Sequence, residues 1–451
     1  MNTDPLVARA AEPAALLIRG AHVLDPRSDL DGAHDVLIRE GEIAEIGAPG
    51  SASDPEIQAI DASGLHLLPA FFDPHVHLRT PGEEHKEDVR TGTLAAAAGG
   101  FCAILAMPNT SPPVDSAPLL RALRETAAGD ASVPVGFLPA ITRAQAGREL
   151  TEMAELRADG AVGFTDDGLP VRDASVLRRA LQYQRMCGGV VALHEEEPSL
   201  SGAGVMHEGA ISALLGLSGI PSIAESTAIA RDAAIAGYER ARIHVMHVSA
   251  HESVEAIATA QAAGVRITAE VTPHHLLLTD EEVRSLDTRM KMNPPLRSER
   301  HREAVRGALI DGTIACVATD HAPHAKEDKE VPFEEAPFGT TGLETAFAAL
   351  YSGLVMPGVL SLALLVERMT AGAAVFDLPT PVITPGAPAN CCLVDLSASF
   401  EVGEGGYRSR SQNCCFAGRR LHGRVVLTVA AGAERFRLLP DPAHPAAVAS
   451  A

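Results

Sequence analysis

Two clusters of metal-binding residue types stand far apart in this 451-residue chain. Near the start is Asp73-Pro74-His75-Val76-His77-Leu78-Arg79, and near the end Asp320-His321-Ala322-Pro323-His324. Two histidines at i and i+2 in an extended segment point the same way, because strand side chains alternate with period 2. The imidazoles of His75 and His77 can therefore reach one ion, with Asp320 completing its shell and handling a proton. His194 and His247, each closing an apolar run, could hold a second ion. Four imidazoles with carboxylates suit borderline metals, zinc above all. The chemistry implied is metal-dependent hydrolysis.

Two cations held close together need a bridging anion. In many metallohydrolases that bridge is a carboxylated lysine on the fourth strand of a barrel. The chain has four lysines (Lys86, Lys291, Lys326 and Lys329) and none between 87 and 290. Asp167, in Gly163-Phe164-Thr165-Asp166-Asp167-Gly168, is the substitute on offer. Water between two such ions loses a proton near neutral pH, and Asp320 is placed to take that proton and return it to a leaving nitrogen. Plainer readings exist for some of these residues. Asp166-Asp167-Gly168 also fits a turn, and Asp320 also fits a helix cap. His22, His34, His66 and His85 read as ordinary surface or core residues. His207, His251, His274, His275 and His321 read as supporting or structural groups.

The elements that would position these residues alternate strand and helix. Apolar runs at 67–72, 103–107, 135–139, 161–164, 190–194, 243–248, 265–270 and 314–319 read as eight strands. Helical stretches such as 117–127, 175–187 and 253–263 lie between them. This pattern predicts a (β/α)8 barrel. Its active site should lie at the strands' C-terminal ends, where His75, His77, Asn109, Asp167, His194, His247 and Asp320 fall. Alternating segments within 15–50 and again at 390–395 and 423–429 predict a small β-sandwich built from both chain termini. The expected organisation is 1–66 for the first part of the sandwich, 67–375 for the barrel and 376–451 for the rest of the sandwich. The Pro/Ala-rich tail from Pro440 is expected to be loose.

Composition bounds the function. With 46% hydrophobic residues the chain can bury a large core. A net charge of −21 argues against nucleic acid and anionic membranes as partners, so an anionic substrate needs local cations. The seven cysteines include the adjacent pairs Cys391-Cys392 and Cys414-Cys415 and no CxxC, which fits a reduced, cytoplasmic protein. The first 13 residues show no signal peptide, and no apolar run is long enough to span a membrane.

The residues then match a family. The strings from Asp73 through Gly82, Met107-Pro108-Asn109-Thr110, Phe164 to Gly168, His247-Val248-Ser249, Thr272 to Leu276, Lys291 to Arg297, Asp320 to His324 and Gly339 to Glu344 occur in the order found in class I dihydroorotases. The chain resembles that branch of the amidohydrolase superfamily along nearly its whole length. The resemblance implies interconversion of dihydroorotate and N-carbamoyl-L-aspartate, the third step of pyrimidine synthesis. It implies one or two zinc ions per subunit, with His75 and His77 on the first, His194 and His247 on the second, Asp167 bridging, and Asp320 as ligand and general base. Arg79, Asn109 and His324 would hold the substrate carboxylate. Asn293 and the backbone at Phe338 and Gly339 would hold the ring, and His77 would also face the substrate. An arginine fork suits a carboxylate. A homodimer is expected, and a complex with aspartate transcarbamoylase is conceivable. Two departures stand out: Ala70 replaces a usual glycine, and Glu195-Glu196-Glu197 follows His194. Neither is expected to touch a ligand residue. The rivals are hydantoinase or allantoinase, against which Arg79 and the missing lysine argue, and an inactive partner of the transcarbamoylase, which would typically have lost ligands.

Overall fold

The computed structural model describes residues 4–438. Eight strands run in chain order: Phe71–Val76, Phe101–Ala106, Val135–Phe137, Phe164–Thr165, Val191–Leu193, Arg242–Val245, Arg266–Val271 and Cys316–Val317. The first three pair in one sheet and the last five in another, in parallel throughout. Backbone bonds cross both seams. Val162 N donates to Phe137 O (2.9 Å) between the third and fourth strands, and His77 N to His321 O (2.9 Å) between the eighth and the first. This is the (β/α)8 barrel that the alternating pattern predicts. The expected helices appear as Ala117–Asp130, Ala174–Cys187 and His251–Ala262.

The barrel strands read as unbroken apolar runs because both faces are covered. Every position of Phe71–Val76 and Phe101–Ala106 is buried. One apolar core joins Phe71, Ile104, Val135, Phe164, Val191 and Ile243 to the surrounding helices. Each such large side chain contributes about 1.5–3 kcal/mol by its burial.

The two ends of the chain meet in one eight-stranded sheet. Its order is Ala433–Arg437, Arg420–Ala430, Cys391–Glu401, His66–Pro69, Leu16–Asp25, Leu30–Arg39 and Glu42–Gly47, with Gln58–Asp61 alongside Leu16–Asp25. Alternate residues of early and late strands (Leu16, Ile18, Val36, Ile38, Cys391, Leu393, Leu427, Val429) share a second core. That period of 2 is why these strands are visible in the sequence. The expected loose tail from Pro440 lies outside the described residues.

Two boundaries differ from expectation. The run 67–72 is two strands, not one. His66–Pro69 belongs to the terminal sheet, pairing with Leu16–Asp25 and Cys391–Glu401, and the barrel strand begins at Phe71. The handover occurs at Ala70, whose N donates to Asn390 O while Phe71 N donates to Gly100 O. Residues 67–72 are buried throughout, so hydropathy carries no mark of the change of sheet. Residues 7–9 also leave the terminal sheet: Val7 exchanges backbone bonds with Val135 of the third barrel strand.

Candidate metal centre and substrate cavity

His75 lies inside the first barrel strand and His77 just beyond it, with Val76 between. The expected period-2 geometry thus spans the strand's end. A buried carboxylate fixes this end: Asp73 accepts bonds from His75 N (3.1 Å), Thr319 N (3.1 Å) and Thr319 Oγ1 (2.5 Å). It ties the first strand to the segment after the eighth, the two segments that carry His75, His77 and Asp320. Burial pushes the Asp73 carboxyl up to about 7, against these bonds.

Asp167 sits at the centre. Its Oδ1 lies 3.6 Å from His75 Nε2 and 3.8 Å from both His194 Nδ1 and His247 Nε2, while its Oδ2 lies 3.4 Å from His77 Nε2. Asp320 Oδ1 lies 3.0 Å from His77 Nε2 and 3.4 Å from His75 Nε2. His194 Nδ1 and His247 Nε2 face each other at 2.9 Å. The neighbouring Asp166 turns away and accepts from the backbone and hydroxyl of Thr142. Two of these groups, His75–His77–Asp320 and His75–Asp167–His247, bring their ligand atoms within 4.8 Å of one another.

The far nitrogens of the rings reveal what the near ones are for. His75 Nδ1 donates to Glu270 Oε1 (2.8 Å), His77 Nδ1 to Asn109 Oδ1 (2.8 Å) and His194 Nε2 to Glu196 Oε2 (3.3 Å). Each outer bond fixes a neutral tautomer whose lone pair points inward, the usual support of a metal-bound imidazole. His75 Nε2 is buried without a hydrogen-bond partner, a costly state unless something else accepts its lone pair. The donor set therefore fits a metal ion. Without one, burial opposes every charge here and the opposite charges outweigh it. Asp320 and Asp167 are held below the ordinary carboxylate range, chiefly by His75, and His75 is held above the ordinary imidazole range by Asp320 and Asp167. A cation would take the place of those protons.

Three residues at this rim adopt the left-handed region: Arg79 (φ 57°), His247 (φ 36°) and Asp320 (φ 47°). Such backbone is uncommon outside glycine and persists where the surroundings enforce it. Each turn follows the C-terminal end of a barrel strand, which aims the side chain across the barrel mouth.

A cavity of about 220 Å³ opens over the cluster. Its lining contains His77, Arg79, Asn109, Asp167, His194 and His247. Asn293, Asp320, His324, Phe338 and Gly339 also line it, with Gly168 and Ala322 completing the wall. Every residue singled out in the sequence lines it except His75, which lies fully buried beneath. The buried Arg79 donates through Nε to Pro323 O (3.1 Å), leaving its terminal nitrogens for the cavity. His324 Nε2 donates to Phe338 O (2.7 Å), and burial beside Arg79 pushes this imidazole down to about 2, so it stays neutral. Gly339 (φ 137°) is required as glycine: a Cβ there would lie 2.9 Å from Ala322 O and from His324 Nε2. Asn109 is not free to serve a substrate alone, since its amide also donates to Asp167 Oδ2 (3.2 Å).

One expectation is corrected. Glu196 does touch a candidate ligand residue: besides His194 it accepts from Asn293 Nδ2 (2.8 Å) and from Ser201 Oγ. Burial opposes its charge, but His194 holds its carboxyl down at about 2. Glu270, Asp73 and Glu196 were not legible as site residues. Glu270 follows an ordinary strand pattern, and only folding places its Oε1 on His75 and its Oε2 on His244 (3.0 Å).

Comparison with known proteins agrees with this geometry. Residues 64–253 match the family described as Dihydro-orotase-like. The dihydroorotase of Pelotomaculum thermopropionicum is 46% identical over 92% of this chain and 97% of its own length. That of Syntrophotalea carbinolica is 44% identical over 94% and 99%. Among solved structures, the L-hydantoinase of Arthrobacter aurescens superposes with a TM-score of 0.82 at 26% identity, covering 94% of this chain and 96% of that one. The dihydropyrimidinase of Brevibacillus agri gives 0.81 at 26%, covering 94% and 95%. The barrel is thus shared with cyclic-amide hydrolases, and the sequence similarity, at this identity and coverage, shows that the chain belongs to the dihydroorotase family.

Proposed function

We propose that the chain is a dihydroorotase, opening the cyclic amide of dihydroorotate to N-carbamoyl-L-aspartate in a reversible, zinc-dependent reaction. The observation that supports this most is one small cavity lined by the buried Arg79, by His77, His194 and His247 and by Asp167 and Asp320, with His75 buried beneath it. In a chain of net charge −21, Arg79 supplies the local cation that an anionic substrate needs.

In this reading His75, His77 and Asp320 would hold one zinc and His194 and His247 a second, with Asp167 within reach of both groups. Zinc bound there would supply a Lewis acid for the ring carbonyl and a water acidic enough to lose its proton near neutral pH. Asp320, a carboxylate at neutral pH, accepts the proton released in the attack. It returns that proton to the ring nitrogen as the C–N bond breaks. Arg79 and the neutral His324 hold the substrate carboxylate. Asn293 and the backbone at Phe338 and Gly339 hold the ring. Asn109, bonded to His77 and Asp167, keeps the substrate side in register with the metal side.

The shape of the fold favours a second reading, a hydantoinase or dihydropyrimidinase. Arg79 in the cavity and the absence of lysine from 87 to 290 count against it. A non-catalytic partner of aspartate transcarbamoylase is disfavoured because all six ligand positions are filled. We further read the protein as a cytoplasmic homodimer, which sedimentation tests. Recovery of the transcarbamoylase with the tagged enzyme from extract tests that association.

The deciding experiment measures zinc content and hydrolysis of dihydroorotate, hydantoin and allantoin on one sample. The expected result is one to two zinc per chain and turnover of dihydroorotate, lost to a chelator and restored by zinc. Appreciable turnover of hydantoin or allantoin alone would replace the proposal. Bound zinc without turnover would favour the non-catalytic partner.

A further inference from the structure

The segment 402–419 joins the strands Cys391–Glu401 and Arg420–Ala430 of the terminal sheet, yet it reaches the mouth of the barrel. Its Asn413 is 5% exposed. The side-chain Oδ1 accepts from His324 N (3.1 Å), and Nδ2 donates to Ala322 O (3.1 Å) and to Gly339 O (3.1 Å). An asparagine side chain has two N–H donors and one carbonyl, and here all of them are spent on three residues that line the cavity. The Asn413 backbone carbonyl accepts from Thr340 Oγ1 (3.0 Å) and Thr341 N (3.3 Å), and Cys415 N donates to Thr340 Oγ1 (2.9 Å). Nearby, Ser409 Oγ and Arg410 N bond to the buried Glu87, which also meets His321 Nε2 (3.2 Å).

The backbone at Ala322–His324 and Phe338–Gly339 is irregular. Much of its hydrogen bonding must come from elsewhere, because buried backbone polar groups are costly when unpaired. Asn413 supplies three of those bonds and fixes the spacing between the two wall segments. It touches none of the six candidate metal ligands.

We propose that Asn413 is a positioning residue of the substrate cavity, so that the terminal sheet, and not the barrel alone, sets how tightly substrate is held. The proposal rests on the cavity assignment above. Asn413→Ala removes all three bonds. Asn413→Asp keeps the acceptor for His324 N but turns an oxygen toward two carbonyls. Losing bonds to buried backbone groups loosens the wall that faces the substrate. The KM for dihydroorotate should therefore rise about tenfold in Asn413→Ala and more in Asn413→Asp. The kcat should stay within about threefold, and zinc content should match wild type. Amide hydrogen exchange reads the same claim without catalysis: protection should fall at 322–324 and 338–341 and persist at 75–77. Four results would overturn the proposal: unchanged exchange at those segments, unchanged KM in folded variants, joint loss of zinc and kcat at constant KM, or failure of both variants to fold. Wild-type protein that holds zinc but leaves dihydroorotate intact would refute the function reading instead, and exchange alone would then decide the role of Asn413.

Discussion

On one side of Asp167, His75 and His77 are each held by a group from another strand or loop: Glu270, whose side chain is 1% exposed, and Asn109. On the other side, His194 leans on Glu196, whose side chain is 19% exposed, at 3.3 Å, and His247 Nδ1 is buried with no hydrogen-bond partner. The first side is also tied through Asp73 to the segment carrying Asp320. The second rests on a network one layer further out. Glu225 accepts from Ser249 N (3.0 Å) and Ala250 N (3.1 Å), and Arg297 Nε donates to Ser249 Oγ (2.9 Å). Rigid outer bonds make an inward lone pair available at no further ordering cost, so the His75–His77 side is the better organised half of the cluster.

The largest break of this comparison is expected where the two halves share chemistry. Asp320→Asn should lower kcat by more than about a thousandfold while zinc content falls only partly, because the amide still offers an oxygen but cannot accept the proton. Steady-state rates and metal analysis on one preparation check this; near wild-type turnover would remove Asp320 from the role of base. Next, Glu270→Gln and Glu196→Gln probe the two halves separately. Loss of an outer partner costs about 10–100-fold in metal affinity. Competition with a chelator should place Glu270→Gln at the upper end of that range and Glu196→Gln at the lower, and equal effects would erase the asymmetry. Arg79→Ala should raise KM and lower kcat/KM about a hundredfold, with metal content intact; an unchanged kcat/KM would take Arg79 out of the carboxylate site.

The smallest effect concerns acid stability on the His247 side. Burial, with Arg297 and His301 beside it, pushes His207 down to about 3. The fold therefore keeps this ring neutral, while the unfolded chain protonates it below its ordinary value near 6.5. The stability it contributes is intact above pH 6.5 and declines as pH falls toward 3. Urea titrations of the chelated protein at pH 7 and pH 5 should differ by about 1–2 kcal/mol from this group, and His207→Gln should flatten the difference. An undiminished slope in that variant would assign the acid sensitivity elsewhere.

What could be read in advance followed periodicity and spacing. His75 and His77 announce themselves because a period of 2 aims both rings one way. The terminal strands announce themselves because one face is polar. Glu270 and Asp73 did not, because a carboxylate on a buried strand has no local signature; each gains its meaning from a partner about 195 or 246 residues away. The handover at Ala70 was hidden for a related reason, since residues buried in either sheet read alike. Glu196 stays hidden because a spacing of two from His194 does not say whether its side chain turns back onto the ring, and the Asn293 that shares it lies 97 residues on.

The alternation of strand and helix, the candidate ligand types at the strand ends, the missing lysine and the arginine suited to an anion are all written in the string of residues. These depend on side-chain chemistry and short-range geometry, which are properties of the string. Folding in three dimensions settles which nitrogen of each imidazole faces inward, how Asp167 rather than Asp166 reaches the centre, and that Asn413, in the segment joining two strands of the terminal sheet, bonds to the cavity wall. Those outcomes depend on hydrogen-bond partners drawn from distant segments, and closure of the barrel sets their distances.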